Sequence, residues 1–408
     1  MKLEASKRML AHALEIIPGG TNTISKRVAN MLDKDNFPSY IERAKGAYVW
    51  DLDGNKYIDY IASLSPINIG YNDNRIKEKV VAQLEKGSIF TLPSSNEVEL
   101  SDVLIDKIPC AEMVRLLKTG AEVTSAAVRV ARLATGKEMV LSCGYHGWHD
   151  WWSAKTGTKG IPDCFYGLIH DFKYNDYDAC EALVEKHRDK LACIIMTAAD
   201  YGRGPKKGFL EKIRALADKV GIPLIFDEIV TGFRWSLGGA QERYGVTPDM
   251  AAFGKGMANG MPIAALVGKE KYMHLLADNF VTSTFASEAL SIAASLETIK
   301  ILEEDNIIER LYHLANELRQ GLIEVGNAHG VKANVYDATP TVKFDFDIGD
   351  DDAMVKAGYE FARACAARGV LIRRYGAELF LCPIAALSDE DVKTSIDVFH
   401  QSLGELIS

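Results

Sequence analysis

Apolar residues recur along this chain in two rhythms, and the character of the chain changes near residue 285. From Val114 to Phe253, short unbroken apolar runs alternate with stretches of helical period. The runs are Val114–Leu117, Met139–Cys143, Ala192–Thr197, Ile222–Phe226 and Met250–Phe253. Their length, and the Gly, Pro and acidic residues that bound them, predict strands buried on both faces. Between them, Val123–Ala134 predicts a helix closed by Thr135-Gly136. Leu210, Ile213, Leu216, Ala217 and Val220 mark one face of another helix, closed by Gly221. Strand alternating with helix predicts an α/β fold, a mainly parallel sheet sandwiched by helices.

The flanks read differently. Lys2–Ile17 predicts an amphipathic helix stopped by Pro18-Gly19-Gly20, and a polar loop T-N-T-I-S-K-R follows. Ala47–Asp51 and Lys56–Tyr60 flank D-G-N, a strong hairpin signal. Asp73–Gly87 and Glu97–Ile108 predict helices. Beyond 285, Ser287–Leu302 reads as one helical run, and Ile307, Leu311, Leu314, Leu318, Leu322 and Val325 form an apolar helical stripe. Val342–Phe346, Val370–Arg373 and Leu379–Cys382 predict strands. Ala353–Arg368 and Asp389–Leu403 predict helices, the second opened by Ser388. The expectation is an N-terminal segment (1–60) packing with a smaller C-terminal α+β domain (286–408), around a large domain (61–285).

The 408 residues are 48% hydrophobic and 25% charged, with a net charge of −9. That acidic balance, without a Lys/Arg-rich block, argues against nucleic acid or an anionic membrane as partner. No apolar run approaches the ~20 residues that span a bilayer. The seven cysteines are scattered and never paired as C-x-x-C, which predicts reduced thiols in a cytoplasmic protein.

The chemistry gathers at the strand ends. The run Ile222–Phe226 leads into Asp227-Glu228, and Met250–Phe253 into Gly254-Lys255-Gly256. Open α/β sheets bind ligands at the carboxyl ends of their strands. A lysine amine condenses with the aldehyde of pyridoxal phosphate, and a carboxylate keeps the pyridine nitrogen protonated. Taken singly, Asp227 is equally a helix cap and Lys255 a solvated loop residue; a third feature joins them. The strand Val114–Leu117 runs into Lys118-Thr119-Gly120-Ala121 at a helix start, where unpaired N–H groups and the dipole favour a phosphate. Met139–Cys143 ends in G-Y-H-G-W-H-D-W-W, and Tyr145 suits stacking on a flat ring. His146 and His149, spaced as metal ligands, have no third ligand to accompany them, so no metal is expected.

These motifs resemble the class III pyridoxal-phosphate aminotransferases of fold type I, and most closely the branch with glutamate-1-semialdehyde aminomutase. The resemblance runs from P-G-G-T-N through G-A-Y-V-W-D-L-D-G-N-K-Y-I-D-Y, Y-H-G, D-E-I-V-T-G-F-R and F-G-K-G-M-A-N-G-M-P. It implies that Lys255 forms the internal aldimine and later shuttles the proton, and that Asp227 holds the pyridine nitrogen. It further implies a cofactor shell of Thr119, Gly120, Ala121, Tyr145, His146 and Val230. Thr284 would reach the phosphate from the partner subunit of a homodimer. Lys26 falls where the aminomutases carry a substrate-binding arginine, with Arg27 next door; Trp50 is a further substrate candidate.

The departures bear on the substrate. Lys118 stands where the family usually has asparagine, and Thr197-Ala198 where it has Glu-Pro. A-S-E-A-L replaces the Gly-Asn-Pro element after Thr284, and no arginine near Cys382-Pro383 matches the one that holds an α-carboxylate in many relatives. The leading expectation is an aminotransferase acting between a small-molecule amino donor and a carbonyl acceptor. The alternatives are an aminomutase that moves an amino group within one molecule, and a catalytically silent relative. A nicotinamide enzyme is disfavoured, since no G-x-G-x-x-G follows the first strand of the sheet.

Overall fold

A computed structural model of the chain describes residues 2–27, 37–336 and 339–408. It divides into two compact units: residues 74–200 with 204–308, and residues 1–73 with 201–203 and 309–408.

The larger unit is built on seven strands: β4 (Met113–Leu117), β5 (Met139–Cys143), β6 (Ile169–Asp171), β7 (Leu191–Thr197), β8 (Leu224–Asp227), β9 (Met250–Phe253) and β10 (Ala264–Gly268). Their order across the sheet is β4-β10-β9-β8-β7-β5-β6. β6, β5, β7, β8 and β9 are parallel, whereas β10 runs antiparallel to both its neighbours. Every residue of β5, β8, β9 and β10 is buried, because helices cover both faces. β6 and β10 were not foreseen; β6 buries only Ile169 of its three residues and so shows no apolar run. The helix Gly120–Thr135 ends at Gly136, whose φ of 66° is the left-handed C-cap that glycine adopts without cost.

Ala289–Glu304 belongs to this unit and packs against the helices Asn74–Leu84 and Ser95–Lys107. The two units therefore part at 308, and not near the residue 285 expected from the change in pattern. The helix itself starts two residues later than the pattern suggests, because Glu288 accepts from the Leu290 and Ser291 N–H groups and serves as its cap.

The smaller unit carries β1 (Ile41–Lys45), β2 (Tyr48–Asp51) and β3 (Lys56–Asp59), with the D-G-N hairpin pairing Tyr48 to Ile58. Its other strands are β11 (Ala333–Val335), β12 (Val342–Phe346), β13 (Val370–Leu371), β14 (Arg373–Tyr375) and β15 (Glu378–Leu381). The stretch read as one strand, Val370–Arg373, is two: β13 joins β3 in one sheet and β14 joins β15 in another. The Ile307–Val325 stripe is buried throughout. Asp53, in the hairpin turn, accepts from the Ala5 and Ser6 N–H groups and so caps the first helix, Glu4–Ile16.

Candidate active site

In the larger unit, parallel pairing sets Thr197 beside Asp227 and Asp227 beside Ala252. Three carboxyl ends thus lie in a row, with β5 flanking β7. Asp227 closes β8 and is only 6% exposed. Its Oδ2 lies 2.7 Å from His146 Nδ1, and its Oδ1 accepts from the Ile229 N–H at 3.1 Å. A buried carboxylate accepts, so Nδ1 carries the proton and Nε2 is the free nitrogen. That Nε2 is buried with no hydrogen-bond partner among the described residues. Thr124 fixes this loop from the helix Gly120–Thr135, donating its hydroxyl to the His146 carbonyl at 2.7 Å.

Lys255 opens the single turn Lys255–Ala258 that follows β9. Its φ of 43° is left-handed, a conformation that costs a non-glycine residue about 1–2 kcal/mol. Among the described residues its ammonium has no hydrogen-bond or ion-pair partner. Tyr145 is 58% exposed and meets the Trp152 ring edge-on at 4.8 Å. Val230 is half-buried in the turn after β8.

Thr119 is the N-cap expected of it, and Glu122 completes a capping box. One Glu122 oxygen accepts from the Lys118 N–H (2.9 Å), the Thr119 N–H (2.8 Å) and the Thr119 hydroxyl (3.1 Å). This leaves the Gly120 and Ala121 N–H groups, at the positive end of a 16-residue helix, without an acceptor among the described residues. Gly147 crosses this turn so closely that a Cβ would stand 2.7 Å from Ala121 Cβ. A phosphate on two open helix-start N–H groups, a flat ring against Tyr145, a ring nitrogen at a buried carboxylate and an aldehyde at a partnerless amine fit pyridoxal phosphate.

Sequence reasoning missed Thr124 and Glu122, as well as the ion pair between Lys118 and Glu288 at 3.1 Å. Both of its residues had been noted as departures from the family pattern; facing each other, they compensate. Thr284 is exposed in the turn that leads to Glu288.

The other candidates lie in the smaller unit. Lys26 lines a cavity of about 360 Å³ with Asp59, Tyr40, Ser63, Leu64 and Tyr71. Burial raises the carboxyl of Asp59 above its usual range, against the Tyr71 hydroxyl, two backbone N–H groups and the charge of Lys26. Ala62, Ser63, Leu64 and Ser65 all have positive φ, so a strained left-handed turn forms part of this wall. Arg27 instead folds onto Gly19, its guanidinium 2.5 Å from where a Cβ would stand. The Trp50 ring is covered by Arg43, whose Cζ lies 3.7 Å from its centroid. Of the three, Lys26 alone faces open space.

The chain matches the family model described as aminotransferase class-III over residues 30–403. It is 38% identical, over all of its length and 98% of the relative's, to the 3-aminobutyryl-CoA aminotransferase of Cloacimonas acidaminovorans. It is 35% identical, over 82% of its length and 80% of the relative's, to the glutamate-1-semialdehyde 2,1-aminomutase of Methanobrevibacter smithii. The internal aldimine form of the FumI protein from Sphingopyxis superposes with a TM-score of 0.91 at 28% identity, covering 98% of this chain and 96% of that one. With the strand-end lysine and carboxylate in one large parallel-rich sheet, these likenesses make the chain a member of the class III aminotransferases, pyridoxal-phosphate enzymes of fold type I.

Proposed function

We propose that this aminotransferase moves an amino group between an amino donor and the β-carbon of a short acyl thioester. The end-to-end sequence match to a 3-aminobutyryl-CoA aminotransferase carries this reading, since the sequence matches to aminomutases cover 80–85% of the chain. Lys26, in place of an arginine, also favours a substrate other than that of the aminomutases.

In this reading Lys255 holds the cofactor's aldehyde carbon, Asp227 its ring nitrogen, Gly120 and Ala121 its phosphate, and Tyr145 its ring face. When bound, the cofactor withdraws electrons from the substrate carbon that bears nitrogen and so acidifies its proton. Lys255 Nζ takes that proton as general base and returns it as general acid. Among the described residues no hydrogen bond or ion pair holds this amine, which suits it to both tasks. His146 donates to Asp227 and keeps it oriented, and the burial of both excludes water that would weaken the carboxylate's field.

A homodimer is part of the proposal. Ile89, Phe90 and Phe285 are exposed in the larger unit, brought together where the Ala289 N–H donates to the Ser88 carbonyl at 2.8 Å. Phe280 is 87% exposed in the same segment as Thr284. Light scattering should return twice the chain mass, and a monomer would overturn this part. The seven free cysteines, six of them buried, fit a reducing cytoplasm.

The deciding experiment supplies 3-aminobutyryl-CoA with 2-oxoglutarate and, separately, glutamate-1-semialdehyde alone. Glutamate formed in the first reaction supports the proposal. Turnover of the second without an acceptor, and none of the first, would replace it with the mutase reading. Lys255→Ala should fold and be inactive in either assay; turnover at the parent rate would remove the lysine from its role.

A further inference from the structure

One face of the sheet β11-β12-β15-β14 carries a row that alternates aromatic and cationic side chains. Tyr336, just past β11, donates its N–H to the Lys343 carbonyl; Lys343 pairs with Phe380, and Phe380 with Arg373. The row therefore crosses all four strands in register. Over it lies Tyr201-Gly202-Arg203, the short segment that belongs to this unit although its sequence neighbours do not. Gly202 passes so close that a Cβ would stand 2.8 Å from Lys343 Cβ. Tyr201 meets Phe380 edge-on at 6.3 Å, Arg373 sits over the Tyr201 ring at 5.9 Å, and Arg203 over the Tyr336 ring at 4.5 Å.

The charges of this face do not cancel. Lys343 is paired with Glu378 at 2.7 Å, and Asp345 accepts from Tyr336 and Asn334. Arg203 and Arg373 have no hydrogen-bond or ion-pair partner among the described residues. Stacking on a tyrosine engages the flat face of a guanidinium and leaves its in-plane N–H donors available, the arrangement that takes phosphate in bidentate fashion. The columns of Tyr336 and Arg373 are three strand spacings apart, roughly 14 Å. With Arg203 over Tyr336 at one end and Arg373 based at the other, a ligand with two separated phosphate groups suits this span. The tyrosines beside them offer a base a surface to stack on.

We propose that Arg203 and Arg373, with Tyr201 and Tyr336, bind the phosphorylated adenosine diphosphate tail of a coenzyme A thioester. The proposal rests on the acyl-thioester reading above and extends it: the thioester would be recognised by its carrier as well as by its reacting end. Three residues, Ala198, Ala199 and Asp200, separate Thr197, at the end of β7, from Tyr201.

The test compares 3-aminobutyryl-CoA with the same acyl group on N-acetylcysteamine, using holoenzyme, and measures adenosine 3′,5′-bisphosphate binding by calorimetry. The parent should bind the bisphosphate, more weakly as salt rises, and show a KM at least about tenfold lower for the CoA ester. Arg203→Gln and Arg373→Gln should each weaken bisphosphate binding about tenfold and shrink the ratio between the two esters by a similar factor. Equal KM values for the two esters in the parent would overturn the proposal while leaving the aminotransfer reading intact. So would variants that raise both KM values alike, which is what a merely structural clasp predicts. If neither ester is turned over, the acyl-thioester reading fails, and an absence of bisphosphate binding then disposes of this site independently.

Discussion

Lys118 and Glu288 offer the sharpest quantitative test of how the proposed phosphate turn is held. Their side chains are 13% and 17% exposed and 3.1 Å apart. Lys118→Met removes one charge-assisted bond, but Glu288 keeps the Leu290 N–H at 2.6 Å and the Ser291 hydroxyl at 2.6 Å, so the expected cost is about 1–2 kcal/mol. Glu288→Ala removes the cap of Ala289–Glu304, about 1 kcal/mol, and leaves a largely buried ammonium uncompensated, about 2 kcal/mol more. The double variant has no orphaned charge, so its cost falls short of the sum of the singles by about 2 kcal/mol. Urea unfolding of the four proteins, with equal m values, reads this coupling directly. Burial acts to raise the Glu288 pKa, but the hydrogen bonds from Ser291, Lys118 and Leu290 together hold it below the ordinary glutamate value of 4.5. A depressed carboxylate contributes stability above its unfolded pKa and loses it as pH falls through the folded one. The advantage over Glu288→Ala should therefore be full above pH 4.5 and fade below it. Coupling below about 0.5 kcal/mol, within the scatter of independent sites, would refute the idea that these two departures compensate each other.

Other perturbations follow from the same geometry. Gly147→Ala puts a methyl 2.7 Å from Ala121 at a φ of +105°, so it should destabilise by more than about 2 kcal/mol and lower cofactor retention on dialysis; unchanged retention would mean the turn is not so tightly packed. Asp227→Asn should weaken cofactor binding in equilibrium dialysis far more than His146→Asn, because the first removes the charge and the second only its orienting donor; equal losses would show that the pair acts as one unit. Burial raises the Glu228 carboxyl, against hydrogen bonds from Thr231, Ala240 and Gln241. A raised folded pKa gives stability that is full below the unfolded value of 4.5 and lost as pH rises through the folded one, so the parent's stability relative to Glu228→Gln should fall with rising pH; a flat difference would refute the shift.

What the sequence made legible was local. The strands β5, β7, β8 and β9 were readable because burial on both faces demands unbroken apolar runs, and the Ile307–Val325 stripe because one helix face must be dry. Ser388 announced its helix by capping chemistry, which the Asp391 N–H donating to its hydroxyl bears out. The strand ends were readable for the same reason: a charge placed directly after a buried run must sit at the sheet's edge. What stayed hidden lies between elements. His146 and Asp227 are 81 residues apart and Lys118 and Glu288 are 170 apart, and no periodicity links such positions. β14 was merged with β13 because Ile372 continues the apolar run while the chain leaves one sheet for another. The row of Tyr336, Lys343, Phe380 and Arg373 had no signature either, since β12, β15 and β14 each contribute a single member and Tyr336 lies just past β11.

Lys255, the proposed aldehyde-binding residue, shows how much local reasoning reads without knowledge of contacts. A lysine has no intrinsic reason to occupy φ near +43°, where each residue costs about 1–2 kcal/mol. The conformation persists because both sides are over-determined: β9 is wholly buried before it, and Gly256, Met257 and Ala258 are buried after it. A surface lysine would relax, and a helix cap would be glycine or asparagine. Here the core clamps the chain on either side of one residue, whose amine has no polar partner among the described residues. In the proposed role, the packing at this position holds an amine, without a polar partner among the described residues, at a fixed point of the sheet, as covalent capture of an aldehyde requires. Replacing Lys255 by glycine should therefore raise the midpoint of thermal unfolding of the cofactor-free protein even as it abolishes turnover. A lower midpoint would show that the lysine side chain, and not the flanking core, sets this turn.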